Sequence, residues 1–504
     1  MIARRSFRHR PSALVAGPLL FLLFILVVDL DPSNRQVTYM AAVAAWMAVW
    51  WITEVIPLGM TALLPVVMFP LAGIMSGRDV APVYVNHIIF LFVGGFMVAL
   101  AMQRWNLHKR ISLAILTRTG SSATLIVLGF MIATWFLSMW ISNTATTMMM
   151  IPIALAVIMK LEDTLDRKTV SRFTAGLLLA VAYSSSIGGI ATLVGTPPNL
   201  AFVKMFATHF PQAPQISFSQ WFVFALPPSI VLIAIAWGYL TLRFFRKTPL
   251  TIKTDVFKDE CEKLGPMSYE EKVVLADFVL LALMWLTRSD LNVGGTVIRG
   301  WSSLLAVPGF VDDGTVAIAM ALILFLIPSK NRPETTVLNW KTAVGLPWNI
   351  VLLFGGGFAL AEGFMRTGLS RWLGDQLEWA GVLTPLFIVA LACLLVTFLT
   401  ELTSNTATAQ VILPIIASLG LAIHVNPLLL MLPVTLSASC AFMLPVATPP
   451  NAIVFGTQRL RVAEMVKTGI VLNFIGVAII TATVFTVGLG IFDIDPVSLP
   501  PWAQ

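Results

Sequence analysis

The segment Ile141-Ser142-Asn143-Thr144-Ala145-Thr146 occurs a second time, slightly changed, as Thr403-Ser404-Asn405-Thr406-Ala407-Thr408. Each copy places small hydroxyl and amide side chains in the middle of a long apolar run. Each is followed further along the chain by a Thr-Pro-Pro-Asn sequence, at 196–199 and again at 448–451. The two Ser-Asn-Thr motifs are 262 residues apart and the two Thr-Pro-Pro-Asn motifs 252 residues apart. This spacing predicts two related repeats in one chain.

The composition is typical of a membrane protein. Of the 504 residues, 58% are hydrophobic and 11% are charged, whereas a soluble domain has about 25% charged residues. The net charge of +7 fits basic loops on the cytoplasmic side of a membrane, so we expect no nucleic-acid partner. The three cysteines lack the spacing of a metal or disulfide site. The apolar segments contain no set of nucleophile and base, so we expect no enzyme.

The predicted fold is an all-α polytopic membrane protein with about 11 transmembrane helices, because each span needs about twenty apolar residues. The predicted spans are 13–30, 37–56, 58–75, 88–103, 173–208, 217–243, 273–290, 313–328, 348–364, 427–459 and 468–490. Two further segments, 121–160 and 384–423, are each interpreted as a re-entrant hairpin of two half-length helices that meet at Ser-Asn-Thr. Two amphipathic segments, 104–119 and 366–381, precede the hairpins.

The distribution of charge predicts how the chain crosses the membrane. Lys and Arg are frequent in 1–10, 104–118, 160–172, 243–272, 330–341 and 459–467, and absent from 209–216 and 491–504. The positive-inside rule then places the N-terminus in the cytoplasm and the C-terminus outside, provided that each hairpin enters and leaves on one side. The repeats are therefore predicted to be inverted, with the two hairpin tips meeting near the membrane centre.

We divide the chain into scaffold and transport parts on this basis. The predicted boundaries are 1–36 for the tail and first span, 37–119 for the first scaffold part, 120–243 for the first transport part, 244–272 for a cytoplasmic loop, 273–381 for the second scaffold part, 382–491 for the second transport part and 492–504 for a tail.

The motifs predict ion binding by helix ends. A helix that ends exposes carbonyl oxygens, which suit a small cation, and a helix that begins exposes N–H groups, which suit an anion. Paired prolines break a helix and free the carbonyls before them. Neither motif contains a charged residue, and the nearest is Glu401. A multivalent anion would need bound cations to neutralise it, because burying an isolated charge is costly.

Other interpretations remain open at this point. Ser and Thr also join helices in membranes without any binding function, although four matched breaks favour a site. An anion channel and an anion exchanger would use the same polar breaks. A substrate panel tested with and without sodium separates these possibilities.

The paired motifs, together with Trp51-Ile-Thr-Glu54-Val-Ile-Pro57-Leu, resemble the divalent anion/sodium symporter family, which includes solute carrier family 13. The resemblance implies a homodimer in the plasma (cell inner) membrane that works as an elevator. It implies sodium-driven import of C4-dicarboxylates such as succinate, with no organic cofactor. Sodium-independent exchange of dicarboxylate or citrate, and sulfate transport, are known variations within such a family.

The resemblance also implies site residues by matching positions. One sodium ion would use Ser138, Ser142, Asn143 and Gly195, and the other Thr400, Thr403, Asn405 and Ala447. The substrate would contact Ser142, Asn143, Thr144, Thr196, Pro197, Ser404, Asn405, Thr406, Thr448 and Pro449. Some relatives have alanine at the position of Thr403, where a backbone carbonyl would serve equally.

Overall fold

The structure, a computed structural model, describes residues 11–162, 165–245, 255–293 and 296–504. Long apolar runs form helices because a helix satisfies its own backbone hydrogen bonds, which lipid cannot do. The first half contains α1 Pro11–Val27, α2 Arg35–Thr53, α3 Leu58–Thr61, α4 Leu64–Leu71, α5 Gly77–Tyr84, α6 His87–Arg104, α7 Leu107–Leu116, α8 Ala123–Ser138, α9 Asn143–Glu162, α10 Arg167–Ile190, α11 Pro197–His209 and α12 Phe218–Leu240, which continues as a π-helical turn Thr241–Phe245.

The second half repeats the pattern from α15 onward. Its helices are α13 Asp255–Leu264, α14 Tyr269–Thr287, α15 Asp313–Leu326, α16 Trp340–Ala343, α17 Trp348–Thr367, α18 Leu369–Leu377, α19 Pro385–Thr400, α20 Asn405–Ala422, α21 Pro427–Ser437, α22 Pro449–Gly456, α23 Val462–Thr483 and α24 Leu489–Ile491. A π-helical turn, Val484–Gly488, joins α23 to α24, and short 3₁₀ helices cover Trp301–Leu304, Pro308–Phe310, Glu378–Val382 and Pro501–Ala503.

The polytopic helical architecture is confirmed, but the number of spans is not. By length and composition, seven of the described helical segments could cross a membrane: Gly77–Arg104, Asn143–Glu162, Arg167–Ile190, Phe218–Phe245, Trp348–Thr367, Asn405–Ala422 and Val462–Ile491. The predicted span 58–75 is divided into α3 and α4, and α15 has only 14 residues. The predicted basic tail, 1–10, and residues 246–254 of the predicted basic loop, 244–272, lie outside the described residues.

The two predicted hairpins are present as helix pairs, with one correction to their length. α8 and α9 meet at residues 139–142, and α19 and α20 meet at residues 401–404. The second helix of each pair is not half-length: α9 has 20 residues and α20 has 18, which gives each a length of about 27–30 Å. These helices continue through Pro152 and Pro414, since neighbouring helices can re-satisfy the backbone that proline frees in a membrane protein.

The all-α prediction missed a small antiparallel strand pair between α14 and α15. Strand β1, Leu291–Val293, pairs with β2, Thr296–Ile298, with Leu291 opposite Ile298. Several residues of the pair are β-branched and favour extended backbone. The strand pair lies within the segment that follows the predicted span 273–290.

The helices of both hairpins and the broken helices form one unit, which we call the hairpin bundle (α8–α12 and α19–α23). Within it, α10 packs against α8, α9 and α12, and correspondingly α21 packs against α19, α20 and α23. The halves are joined crosswise, because α11 packs on α20 and α22 packs on α9. The helices α1–α6 and α14–α17, which lie outside this unit, are called the frame. The second repeat thus reproduces the internal packing of the first.

The first amphipathic segment is anchored at its polar face. The Lys109 ammonium group of α7 lies 2.9 Å from the Glu260 carboxylate of α13. The Arg110 guanidinium lies 2.7 Å from the carboxylate of Glu271, in the first turn of α14. Hydrogen bonds from Lys263 and Lys109 hold the pKa of Glu260 at about 2. The second amphipathic segment is divided between α17 and α18 by Gly368, whose φ of 82° ends α17.

Helices α8 and α10 approach each other very closely in the hairpin bundle. A Cβ at Gly188 of α10 would lie 2.2 Å from the carbonyl oxygen of Trp135 in α8, whereas a Cβ at Gly238 of α12 would meet no atom of the described residues within 4 Å. Gly188→Ala is therefore expected to destabilise the fold by about 1–3 kcal/mol, the usual range for overpacking. Thermal unfolding of the protein in detergent measures the change.

Gly238→Ala is the matched control for the same change of side chain in a long helix. It is expected to leave the melting temperature unchanged or raise it slightly, because it lowers only the entropy of the unfolded chain. Equal melting temperatures for the two variants would contradict the packing of α10 on α8.

Candidate functional site

The first hairpin tip brings three oxygen-bearing groups together. The Ser138 hydroxyl, at the end of α8, donates to the side-chain oxygen of Asn143 at 2.7 Å and also lies 2.7 Å from the carbonyl oxygen of Ser185 in α10. The Ser185 hydroxyl in turn donates to the Asn143 carbonyl at 2.8 Å. The tip of the first hairpin is thus fixed against the C-terminal part of α10.

The side-chain oxygen of Asn143 faces only other oxygen atoms. Its position is 2.7 Å from the Ser138 hydroxyl and 3.2 Å from each of the Ser185 and Gly195 carbonyl oxygens. Oxygens converge in this way when a donor or a cation lies among them. Turning the Asn143 amide by 180° places its nitrogen at this position as a donor to all three oxygens. With a cation bound there, the amide oxygen would take this position instead.

Glycine is required where the chain approaches this group. A Cβ at Gly189 would lie 2.6 Å from the Asn143 side-chain oxygen, and a Cβ at Gly195 would lie 2.6 Å from the Gly189 carbonyl. The corresponding positions in the second repeat are Ala441 and Ala447. The first group is therefore the more closely packed of the two.

The second hairpin tip has the same arrangement. The Thr400 hydroxyl, at the end of α19, donates to the Asn405 side-chain oxygen at 2.8 Å and lies 3.0 Å from the Ala438 carbonyl oxygen just after α21. Thr400 and Asn405 are each 262 residues after Ser138 and Asn143. The two repeats therefore build the same three-part group of hydroxyl, amide oxygen and carbonyl.

Other predicted residues surround these groups in several ways. Ser142 accepts a hydrogen bond from the Ala145 amide at 3.2 Å and so caps α9. The Thr403 hydroxyl donates to the Leu399 carbonyl at 3.0 Å and contacts the Thr408 hydroxyl, so its side chain is already occupied within the hairpin. Thr196, Thr406 and Thr448 are buried, while Thr144, Pro197 and Ser404 are half-buried and Pro449 is exposed.

Both Thr-Pro-Pro-Asn motifs begin a helix in the same way. Thr196 and Thr448 have extended backbone, with φ values of −143° and −138°, and each precedes a helix that starts with the two prolines. The N-termini of α9 and α20 begin at the two asparagines. Four helix N-termini thus begin at the motifs, and free N–H groups at such positions favour an anion.

Sequence reasoning did not identify the role of Asn199 and Asn451, the last residues of these motifs. The Asn199 amide nitrogen donates to the carbonyl of Thr192 at 2.7 Å and to those of Gly189 and Ile190 at 3.2 Å. The Asn451 amide nitrogen donates to the Ala441 and Leu444 carbonyls at 3.2 and 3.0 Å. These side chains satisfy carbonyls freed by the helix break, and their identical spacing of 252 residues was the available signal.

Glu401 is a second residue whose role was missed. Its buried carboxylate accepts hydrogen bonds from the amides of Phe442, Met443 and Leu444 at 2.7–2.9 Å and from the Asn473 side chain at 2.8 Å. A buried charge needs such donors. The first repeat has Met139 at this position, whose carbonyl accepts from the Thr192 hydroxyl instead. The second break is therefore fixed by a carboxylate and the first by a hydroxyl.

The donor set consists of oxygen atoms. Among the described residues, no group of three or more His, Cys, Asp or Glu side chains could hold a metal ion. Hydroxyl, amide and backbone carbonyl oxygens at unwound helix segments are the ligands by which transporters hold alkali cations. The geometry thus suits a singly charged cation at each tip.

The chain is similar to known proteins over most of its length. Residues 13–491 match the profile of the sodium:sulfate symporter transmembrane region. The chain belongs to this family of sodium symporters. The resemblance to the divalent anion/sodium symporters is thereby confirmed, and so is the expectation that the chain is a membrane transporter and not an enzyme.

Two relatives are similar over nearly the whole chain. The sodium-dependent dicarboxylate transporter SdcS of Staphylococcus saprophyticus is 42% identical over 490 residues, which cover 96% of this chain and 92% of the relative. SdcS of Staphylococcus aureus is 44% identical over 489 residues, with the same coverage of both chains.

Two solved structures share the fold at low sequence identity. The MtrF efflux pump of Neisseria gonorrhoeae superimposes with a TM-score of 0.56 over 93% of this chain and 98% of its own, at 13% identity. The YdaH transporter of Alcanivorax borkumensis gives a TM-score of 0.57 over 89% and 99%, also at 13% identity. At this level of identity the likeness concerns the fold alone.

The role of the two asparagines in the breaks can be tested by truncation. Asn199→Ala and Asn451→Ala each leave buried carbonyls without their donor, at a cost of about 1–3 kcal/mol. Both variants are therefore expected to melt at lower temperature than the parent protein in detergent.

Asn339→Ala is the control, because Asn339 caps the short helix α16 far along the chain from either motif. It is expected to cost about 1 kcal/mol or less as an exposed-helix cap. If Asn199→Ala and Asn451→Ala melt at the same temperature as the parent, the side chains do not hold the breaks.

Proposed function

We propose that this protein is a sodium-coupled secondary transporter that imports divalent anions, namely C4-dicarboxylates such as succinate. The observation that carries the proposal is the pair of matched oxygen groups at the two hairpin tips. The names of the two SdcS relatives support sodium and dicarboxylate as the ions. The absence of a charged side chain from either motif supports coupling, because the cations would neutralise the anion.

We assign one sodium ion to each hairpin tip. Around Asn143, the group of side-chain and carbonyl oxygens would hold the first ion, using Ser138, Ser142, Asn143 and Gly195, with the Ser185 carbonyl as an additional ligand. Around Asn405, the second ion would use Thr400, Thr403, Asn405 and Ala447, with the Ala438 carbonyl in the place of Ser185. The hydroxyl-to-carbonyl distances of 2.7 and 3.0 Å support these additions.

The substrate would lie between the two tips. Its carboxylates would accept hydrogen bonds from the N–H groups at the starts of α9 and α20 and from the hydroxyls of Ser142, Thr144, Ser404 and Thr406. Thr196, Pro197, Thr448 and Pro449 would line the remaining walls. Binding of the sodium ions beside these helix starts would lower the cost of burying two negative charges.

The movement that we propose is that of an elevator. The hairpin bundle would be the transport domain, and the frame, together with the arms α7 and α18, would be the scaffold. The proposed domain boundaries are those predicted from the sequence. The protein would form a homodimer in the plasma membrane, with its N-terminus in the cytoplasm and its C-terminus outside.

Two other functions are distinguished by transport assays. The description of the family profile names sulfate, so sulfate is the second candidate substrate. A sodium-independent exchanger of dicarboxylate or citrate would use the same fold and would need an internal anion instead of a sodium gradient. An anion channel would show flux without saturation.

The decisive assay is uptake of labelled succinate into proteoliposomes. We expect saturable uptake that requires an inward sodium gradient and stops when potassium or choline replaces sodium. A tenfold excess of external sulfate is expected to compete poorly. Uptake that persists without sodium and depends on internal succinate would contradict the proposal and support exchange.

Mutation of the two asparagines tests the assignment of the sodium sites. Asn143→Ala and Asn405→Ala each remove one oxygen ligand, and hydrogen bonds or contacts to charged groups contribute about 1.5–3 kcal/mol. Each variant is therefore expected to raise the sodium concentration for half-maximal uptake by about tenfold or more, and to raise the apparent KM for succinate.

Asn86→Ala is the control, since Asn86 caps α6 in the frame and its amide donates to the Val83 carbonyl there, far from both motifs. It should retain the sodium dependence of the parent protein. Normal sodium dependence in both Asn143→Ala and Asn405→Ala would show that the sites are wrongly assigned.

A further inference from the structure

The contacts between the hairpin bundle and the frame are unequal in the two repeats. Inside the bundle the packing of the first repeat is reproduced by the second. In the frame, α17 packs closely against both α20 and α11, whereas its repeat partner α6 packs only slightly on α11 and makes few or no contacts with α9 and α22. An internally symmetric bundle therefore lies against one side of a frame that offers two matching sides.

The contact on the side of α17 is very close at one glycine. A Cβ at Gly357 would lie 1.5 Å from the side-chain oxygen of Gln410 in α20, so any larger residue at 357 would collide with that side chain. Gln410 is fully buried, and neither the oxygen nor the nitrogen of its amide has a hydrogen-bond partner among the described residues. Ala407 of the same helix belongs to the apolar cluster built by α2, α5 and α17.

The two residues of the first repeat that correspond to Gly357 and Gln410 do not contact each other. Gly95 of α6 and Met148 of α9 are each 262 residues before Gly357 and Gln410. The nearest atoms to a Cβ at Gly95 belong to Trp285 and Val194, and Met148 is 59% exposed. A cavity of about 230 Å³ occupies the space beside Met148 and is lined by Gln103, His108, Ile141, Ala145, Thr146 and Met149 as well.

We propose that Gly357–Gln410 and Gly95–Met148 are alternative contacts that form in opposite end states of transport. This inference rests on the proposed elevator movement and names the contacts that it exchanges. In the state described here, Gln410 fills the groove at Gly357 and Met148 faces the cavity. In the opposite state, Met148 lies on Gly95 and Gln410 faces a corresponding cavity on the other side.

The two side chains differ in a way that sets the balance between the states. A buried amide without partners costs free energy, and it recovers hydrogen bonds when it faces a water-filled cavity. A methionine makes no such demand when buried. Gln410 thus disfavours the state described here, in which it is enclosed, and favours the opposite state, in which it would be solvated.

The position of the cavity assigns a direction to the present state. It lies on the side of the first tip toward which α9 continues, beside the C-terminal end of α6 and the arm α7. With the proposed orientation of the chain, this side is the cytoplasm. The structure therefore corresponds to a cytoplasm-facing end state.

Disulfide cross-linking tests the exchange of contacts without measuring transport. The two pairs are Gly357→Cys with Gln410→Cys, and Gly95→Cys with Met148→Cys, both in a Cys261→Ser background because Cys393 and Cys440 are buried. A disulfide requires Cβ atoms about 3.5–4.5 Å apart. Under mild oxidation of the full-length protein in membranes, we expect both pairs to cross-link. The Gly357 pair would cross-link in molecules in the present state, and the Gly95 pair in molecules in the opposite state.

The matched controls move one cysteine by a single residue and so turn it to another face of its helix. They are Gly357→Cys with Ala409→Cys, and Gly95→Cys with Thr147→Cys, because Ala409 belongs to the core of the hairpin bundle and Thr147 is buried away from the cavity. If Gly95→Cys with Met148→Cys cross-links no faster than its control, with or without sodium and succinate, the exchange is wrong. Failure of the Gly357 pair alone would equally overturn it, and neither result depends on whether succinate is transported.

A substitution at Gln410 tests the proposed bias between the states. Gln410→Met introduces the residue of the first repeat and removes the unpartnered amide. It is expected to slow the cross-linking of Gly95→Cys with Met148→Cys about fivefold or more, because fewer molecules reach the opposite state. Gln410→Glu should accelerate it, since a buried carboxylate is costlier than an amide. Unchanged rates in both variants would contradict the bias.

Discussion

Backbone groups that leave a helix inside a membrane need partners, because lipid offers none. This chain interrupts its helices at four such places, and at each the freed carbonyls receive a specific side chain. Asn199 and Asn451 hold the broken helices, while Ser138 and Thr400 hold the hairpin tips against Ser185 and Ala438. These hydrogen bonds fix the backbone oxygens around Asn143 and Asn405, and the proposed binding of sodium depends on their positions.

The repeat relationship explains both the likeness and the difference of the two halves. Hydroxyl, asparagine and carbonyl are matched in the two tips, but Glu401 has no acidic counterpart at Met139. The carboxylate holds three successive amides of the second break, which is the longer of the two, running from residue 438 to residue 448. The first break is shorter and is closed by glycines that permit close approach. The two tips thus carry matching groups, but the helix breaks beside them are held by different side chains.

Much of this arrangement could be predicted from sequence because the motifs recur at constant spacing. The hairpin tips at 139–142 and 401–404, the breaks before Pro197 and Pro449, and the helical class all followed from apolar runs and paired prolines. The number of spans did not, since hydropathy cannot show that 58–75 divides into two short helices or that α9 has 20 residues. The roles of Asn199, Asn451 and Glu401 depend on contacts across sequence separations that spacing alone does not reveal.

The proposed inverted repeat requires the two hairpins to enter the membrane from opposite sides. Single cysteines at Ser121 and Lys168, which flank the first hairpin, and at Val382 and His424, which flank the second, would report their sides through reaction with a membrane-impermeant maleimide in a Cys261→Ser background. The account predicts that Ser121→Cys and Lys168→Cys react only from the cytoplasmic side, and that Val382→Cys and His424→Cys react only from outside. Reaction of the two ends of either hairpin from opposite sides would contradict it.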